Sequence, residues 1–111
     1  MPPRDWKFRV DDILKAVERI RDYTEDMDYE QFKNDPRTVD AVVRNLITIG
    51  EAAARIPEEV IAENAEIPWS DMRDMRNFVV HEYFRVSHRM LWNTVVHDIR
   101  DIEVQLQGLV E

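Results

Sequence analysis

The sequence contains no cysteine and only two glycines among its 111 residues. Without cysteine, the chain can form no disulfide and no thiolate metal site. So few glycines also leave no glycine-rich loop for cradling phosphates. No apolar stretch reaches the roughly 20 residues that a membrane helix needs, and the amino-terminal residues lack the apolar segment of a signal peptide. We therefore expect a cytoplasmic protein with no membrane contact.

Acidic residues outnumber basic ones, 23 to 15, which gives a formal net charge of -8. Such a charge argues against a non-specific nucleic-acid coat, because lysine and arginine supply most of that kind of affinity. The basic residues nevertheless gather in one part of the chain, at Arg73, Arg76, Arg85, His88 and Arg89. Any contact with nucleic acid should therefore be a focused site.

The spacing of apolar residues predicts an all-α fold. Apolar side chains recur every three or four residues, as in amphipathic helices, and no segment has a strand pattern. Four main helices with short connections indicate an up-and-down bundle in a single domain, residues 1–111. We expect a polar break at Asp28–Asn34. The predicted helices run from about Asp5 to Met27, from Asp35 and Pro36 to about Arg55, from after Trp69 over Met72 to Val86 with the far end left open, and from Ser87 to about Leu109, with a short helical turn at Glu58–Glu63.

Gly50 lies in the interior of the second predicted helix. Glycine in such a position costs about 1 kcal/mol relative to alanine. We therefore predict that another helix packs closely against this position. The neighbouring Glu51 is expected either to pair with a nearby arginine or to act as an accessory polar group, and we do not count it as catalytic.

The third predicted helix carries an arginine, a histidine and a tyrosine that suit phosphate chemistry. Arginine is a permanent, fork-shaped cation, and histidine exchanges a proton near neutral pH. On a straight helix Arg76 and His81 lie about 140° apart. Asn77 is four residues before His81, so its amide can orient the imidazole, while Arg76 and Tyr83 share a face. The pattern predicts an ordered histidine beside a separate cation.

A single histidine is insufficient for acid–base cleavage, because one group must accept a proton and another must donate one. A two-fold homodimer would place two copies of Arg76 and His81 along one cleft. In RNA the ribose 2′-hydroxyl can act as the nucleophile, so no metal is required. These considerations favour a ribonuclease over a deoxyribonuclease, with no metal or other cofactor required.

Metal chemistry is not favoured by the sequence around His81. The segment His81–Arg85 has arginine where a zinc protease motif needs its second histidine. No histidine occupies the Glu-x-x-His pattern of a di-iron bundle. We therefore predict no metal site.

The segment Arg76–Tyr83 resembles the Arg-x4-His-x-Tyr signature of HepT-like toxins, the minimal members of the HEPN superfamily of helical ribonucleases. The similarity covers nearly the whole chain, so an HEPN-like bundle is implied. Asp74 is a departure, since the family usually has glycine there, and an acid so close could weaken RNA binding. The other segments that resemble the family are Tyr29–Phe32, Asp35–Arg44, Ile49–Ala53 and Ile67–Trp69.

The resemblance implies a homodimeric, metal-independent RNase toxin, restrained by a cognate nucleotidyltransferase antitoxin of the MntA type. In that family the arginine and histidine cleave RNA, here Arg76 and His81. The tyrosine, here Tyr83, is the site at which the antitoxin attaches AMP. An attached AMP would add negative charge and bulk two residues from His81, which would repel RNA.

Two other interpretations remain open. The chain could be a non-catalytic helical module that holds a nucleotide and pairs with a nucleotidyltransferase, as its acidic character and Asp74 would allow. It could also be a purely structural helical dimer. The acidic run Arg21–Glu30 is expected to be solvated surface or a docking face for a more basic partner.

Overall fold

The computed structural model describes the backbone of residues 4–110 and the side chains of residues 6–109. Between residues 4 and 110 the chain is helical and contains no strand, which confirms the all-α prediction. Four long helical segments form the bundle, and the last runs from His88 to Val110 with a π-helical turn at Thr94–Asp98 in its middle. The α-helices are α1 (Arg4–Thr24), α2 (Tyr29–Lys33), α3 (Pro36–Ala53), α4 (Glu58–Glu63), α5 (Trp69–His81), α6 (His88–Asn93) and α7 (Ile99–Val110).

Two helices begin at the residues that the sequence indicates. The carboxylate of Asp35 accepts a hydrogen bond of 3.2 Å from the backbone N–H of Thr38, and Pro36 occupies the first helical position of α3. The hydroxyl of Ser87 accepts one of 3.1 Å from the N–H of Met90 at the start of α6. Such caps satisfy N–H groups that have no partner within the helix. Both predicted starts are confirmed.

The predicted polar break before α3 is wrong, because this segment contains α2. Asp28 accepts from the N–H of Gln31 at 2.8 Å, and the Gln31 side chain accepts from the N–H of Asp28 at 2.9 Å. This reciprocal capping box stabilises the first turn. Phe32 is fully buried, with its ring 5.2 Å from that of Trp92. Contacts remote in sequence therefore stabilise a helix that has almost no periodicity of its own.

The core lies between α3 and its neighbours. α3 packs against α1 on one side and α5 on the other, while α7 packs against α1. α1 presents an apolar stripe to this core, in which Leu14 is half-buried while Phe8 and Tyr23, near its ends, are exposed. Its fully buried members are Val10, Ile13, Val17 and Ile20.

The carboxy-terminal helical segment differs from the single regular helix that the sequence indicates. Its π-helical turn, Thr94–Asp98, follows directly from α6. The hydroxyl of Thr94 donates to the carbonyl of Met90 at 3.0 Å. Partial desolvation raises the pKa of the exposed Asp98 carboxyl at the end of this turn. None of the described helices is long and apolar enough to cross a lipid bilayer.

Candidate active site

The helix that carries the candidate residues ends sooner than its sequence indicates. α5 stops at His81, and Glu82 closes it by donating its N–H to the carbonyl of Phe78 at 2.8 Å. Tyr83 begins a separate 3-10 turn. Residues 80–85 are all exposed, so no packing supports another turn of α-helix. The prediction that Arg76 and Tyr83 share one helix face is therefore wrong.

Arg76 lies at a close crossing of α5 and α3. A Cβ atom added to Gly50 would lie 2.1 Å from the Cβ of Arg76 and 2.7 Å from the carbonyl oxygen of Met72. Real Cβ atoms do not approach other heavy atoms so closely, so only glycine fits at this crossing. The close helix packing predicted from Gly50 is confirmed. Its consequence is that the stem of the Arg76 side chain passes directly over α3.

The guanidinium group of Arg76 is oriented by two neighbours. Its Nη2 donates to Oε2 of Glu51 at 3.3 Å, and its Nη1 donates to Oδ1 of Asn77 at 3.1 Å. The expected pairing of Glu51 with a nearby arginine is thus confirmed. The Nε of Arg76 is buried and has no hydrogen-bond partner among the described residues. Since arginine has five N–H donors, this group retains capacity to bind an oxyanion.

Asn77 is placed differently from the expectation. Its amide oxygen accepts from Arg76, and no hydrogen bond joins it to His81 among the described side chains. His81 lies in the last turn of α5 with its side chain exposed. Its imidazole has no hydrogen bond or ion pair within residues 6–109. The histidine is therefore free to contact a substrate or a partner, and Asn77 orients the arginine instead.

A cleft of about 610 Å³ lies beside Arg76, between α1, the carboxy-terminal part of α3, and α5. Arg76 and Asn77 line it, whereas His81 and Tyr83 do not. Three more arginines and two carboxylates also line this cleft, namely Arg9, Arg55, Arg73, Asp12 and Glu51. We call it the arginine cleft. Sequence reasoning missed Arg9 and Arg55, because they are remote from the motif and only folding brings them together.

The basic cluster predicted around the motif is only partly formed. Arg73 and Arg76 line the arginine cleft. Arg85 pairs with Glu82 at 3.4 Å, outside the cleft. Arg89 stacks on the ring of Tyr29, 3.7 Å from its centroid. The cationic character of the cleft therefore comes from residues on α1, on α5 and in the turn after α3 rather than from one stretch of sequence.

Asp74 is exposed and does not line the arginine cleft. Its carboxylate is thus directed away from the Arg76 side of α5, which reduces the weakening of RNA binding expected from an acid at this position.

Among residues 6–109, no three His, Asp or Glu side chains are grouped closely enough to hold a metal ion.

Tyr83 is accessible on the surface next to the end of α5. Its side chain is 52% exposed, and its ring packs edge to face with Phe84 at a centroid distance of 6.3 Å. Phe84 itself is fully exposed. The tyrosine hydroxyl is therefore accessible to another protein, two residues from His81.

The protein is thus an all-α bundle in which Arg76 lines a cationic cleft and His81 lies exposed at the end of the same helix, α5. The chain belongs to the Ribonuclease HepT-like family, which matches residues 13–109. This membership confirms the resemblance seen in the sequence and supports a ribonuclease role.

Relatives cover the chain almost from end to end. A protein of Thermococcus cleftensis named probable ribonuclease HepT is 39% identical over 106 residues, which cover 96% of each chain. A protein of Methanocaldococcus jannaschii named as a candidate RNase is 35% identical over 111 residues, 100% of this chain and 96% of its own. Another from that organism, similarly named, is 36% identical over 107 residues, 93% of this chain and 88% of its own. No solved structure matches the chain.

Proposed function

We propose that this chain is a metal-independent endoribonuclease that acts as the toxin of a toxin–antitoxin pair, with Arg76 and His81 as its catalytic residues. The observation that carries the proposal is the arrangement of Arg76 in this HepT-like chain. Its guanidinium group lines the cleft and is oriented by Glu51 and Asn77, and its side chain is 29% exposed, so Nη1 and Nη2 each keep one N–H for a ligand. A donor held in advance at the edge of a cleft suits a phosphate that gains charge during reaction.

The chemistry needs only the substrate and these side chains. The ribose 2′-hydroxyl loses its proton to a base and attacks the adjacent phosphorus. The bond to the 5′-oxygen of the next nucleotide breaks, and that oxygen takes up a proton. The products are a 2′,3′-cyclic phosphate and a 5′-hydroxyl. His81 serves as the base or the acid, and Arg76 opposes the negative charge on the phosphate.

A homodimer completes the site in this proposal. His81 does not line the arginine cleft, and on α5 it lies about 140° around and about 7.5 Å along the axis from Arg76. One copy therefore presents the cation and the histidine on different faces. A two-fold axis near α5 would bring two arginines and two histidines to one RNA strand, so that one histidine accepts a proton while the other donates one.

Regulation is proposed to act through Tyr83. A cognate nucleotidyltransferase antitoxin would transfer AMP from ATP to the tyrosine oxygen, releasing pyrophosphate and the phenolic proton. The exposure of the hydroxyl region and its position two residues after His81 support this assignment. The added phosphate would repel the RNA backbone, and the nucleoside would obstruct the approach to His81.

Cleavage of cellular RNA by the purified, unmodified protein tests the proposal. Wild type, His81→Ala and His97→Ala are incubated with total tRNA and mRNA in EDTA, after intact mass has shown that Tyr83 carries no AMP. His97 is a matched control, since it is also exposed. Cleavage by wild type and His97→Ala, but not by His81→Ala, is expected. No cleavage by any of the three would overturn the enzymatic proposal in favour of a non-catalytic nucleotide-binding module.

A further inference from the structure

The arginine cleft carries more positive charge than binding of one phosphate by Arg76 requires. Its lining includes four arginines and only two carboxylates, whereas the whole chain has a formal net charge of -8. A local excess of cations in an acidic protein concentrates a positive potential at one place. The cleft is therefore the part of the described surface best suited to an anionic polymer.

Two of the four arginines are already paired. Nη1 of Arg9 lies 3.8 Å from a carboxylate oxygen of Asp12, and Arg76 contacts Glu51. By contrast, Arg55 and Arg73 form no ion pair and no side-chain hydrogen bond among the described side chains. Their guanidinium groups keep all their donors for a ligand.

The free arginines flank Arg76 at a suitable spacing. Arg73 precedes it by three residues on α5, so their Cβ atoms are separated by about 5–6 Å. This separation is comparable to the distance between adjacent phosphates of an extended single strand. Arg55 follows the end of α3 and lines the same cleft from the other side. A cleft of about 610 Å³ has room for more than one phosphate group.

We propose that Arg55 and Arg73 form a second phosphate-binding subsite, which holds the RNA phosphate adjacent to the one bound by Arg76. The proposal rests on the proposed function, because it places the same strand in the same cleft. Arginine suits this role, since its planar fork can donate two hydrogen bonds to one phosphate. Both groups bind the strand without taking part in the chemical step.

The subsite would determine how the strand lies relative to Arg76. Phosphate contacts fix the register and direction of a nucleic acid but carry no base information. Removal of Arg55 and Arg73 should therefore raise KM for all RNA sequences alike, and kcat should fall much less than on removal of Arg76 or His81. It should also reduce the salt dependence of binding, by about 0.7 in the slope of log K against log salt for each phosphate that the protein no longer neutralises.

Binding of an uncleavable strand tests the subsite separately from catalysis. The probe is a fluorescein-labelled, single-stranded 2′-O-methyl oligoribonucleotide, whose blocked 2′-oxygens cannot act as nucleophiles. Fluorescence anisotropy across a salt series compares wild type with Arg55→Ala/Arg73→Ala. The matched control is Arg19→Ala/Arg100→Ala, which removes two exposed arginines outside the cleft and leaves the same net charge. Circular dichroism and light scattering verify fold and assembly.

Arg55→Ala/Arg73→Ala is expected to bind the oligonucleotide about tenfold or more weakly than the Arg19→Ala/Arg100→Ala control. Its affinity should also depend less steeply on salt concentration. Arg55→Lys/Arg73→Lys, which keeps both charges, should restore most of that salt dependence and also serves if the alanine variant does not fold. Equal affinity of the cleft and control variants for the oligonucleotide would overturn the subsite. It would also be overturned if inorganic phosphate or AMP displaced the labelled probe as effectively as the unlabelled oligonucleotide does. Normal probe binding without RNA cleavage would contradict only the proposed ribonuclease activity.

Discussion

Gly50 and Arg76 are in direct contact at the crossing of α3 and α5, where a Cβ on the glycine would lie 2.1 Å from the Cβ of the arginine. This contact sets the distance between the two helices at the position of the candidate catalytic cation. It also brings the next residue of α3, Glu51, within 3.3 Å of the guanidinium group. The glycine thus links the packing of the bundle to the orientation of Arg76.

The first prediction concerns the Gly50→Ala variant. Alanine is favoured over glycine within a helix by about 1 kcal/mol, but a new Cβ would overlap the Arg76 stem and the Met72 carbonyl. A backbone atom cannot rotate away, so the helices must separate, and such overpacking costs about 1–3 kcal/mol. We expect a net loss in the free energy of unfolding, measured by urea denaturation, together with reduced RNA cleavage.

Gly108 provides the control for this substitution, because no atom lies within 4 Å of a Cβ placed there. In Gly108→Ala only the helix preference acts, so α7 should gain up to about 1 kcal/mol. If Gly50→Ala were as stable as Gly108→Ala and fully active, the close contact with Arg76 would have no structural or functional role.

The second prediction separates the charge of Arg76 from its shape. Arg76→Lys keeps the positive charge but loses Nε and the planar fork that Glu51 and Asn77 orient. Removal of an oriented donor to a developing oxyanion typically lowers kcat by about 10²–10³. A fall of this order in single-turnover RNA cleavage is expected. Arg100→Lys, on an exposed position of α7, should cleave RNA as wild type does. A fully active Arg76→Lys variant would show that Arg76 contributes only its positive charge and not the shape of its guanidinium group.

Local rules allowed much of the fold to be predicted from the sequence. Asp35 and Ser87 start helices because their side chains satisfy the first free N–H groups, a property that depends only on neighbouring residues. Gly50 predicted a close helix contact because glycine is unfavourable inside a helix, and close packing of a second helix explains its presence there. Each of these predictions rests on an effect that acts within one or two turns.

The predictions that failed depended on contacts between distant segments. The end of α5 at His81 follows from a lack of packing around residues 80–85, which sequence periodicity does not reveal. α2 is stabilised by burial of Phe32 against Trp92, 60 positions later. Arg9 and Arg55 reach the arginine cleft only through the packing of α1 and α5 on α3. The motif was therefore easier to find than the site around it.

The third prediction concerns the pH dependence of stability. Partial desolvation by its neighbours raises the pKa of the Asp98 carboxyl above its ordinary value of 3.8, although the residue is exposed, so the folded protein favours the protonated form. The protonated Asp98 carboxyl therefore stabilises the fold relative to the charged carboxylate. This stabilisation is complete at pH values below the aspartate pKa in the unfolded chain, and it is lost as the pH rises through the Asp98 pKa in the folded protein. Asp98→Asn, which is uncharged at every pH, should therefore unfold at a higher temperature than wild type at pH 7.

The gain from Asp98→Asn should shrink as the pH falls toward the ordinary aspartate pKa, because the wild-type carboxyl then also becomes neutral. Asp22→Asn, on an exposed position of α1, controls for the loss of one negative charge from an acidic chain. Thermal melts of the three proteins from acid to neutral pH provide the comparison. Identical shifts for both variants at every pH would show that the desolvation of Asp98 has no effect on stability.

The fourth prediction tests Tyr83 as the modification site. The cognate nucleotidyltransferase and ATP should add the mass of AMP to the wild-type chain and abolish RNA cleavage. Tyr83→Phe keeps the ring and its packing on Phe84 but lacks the oxygen that would accept AMP. It should therefore remain unmodified and active after the same treatment. Intact mass and cleavage of a fluorescent RNA measure the two effects on one sample.

Tyr23→Phe is the matched control for this experiment, because Tyr23 is also exposed, at 43%, but lies on α1. It should be modified and inhibited as wild type is. Modification of Tyr83→Phe to the wild-type extent would assign the acceptor to another residue. Modification of wild type without loss of cleavage would contradict the mechanism instead, since a phosphate attached two residues from His81 would then neither repel RNA nor obstruct its approach.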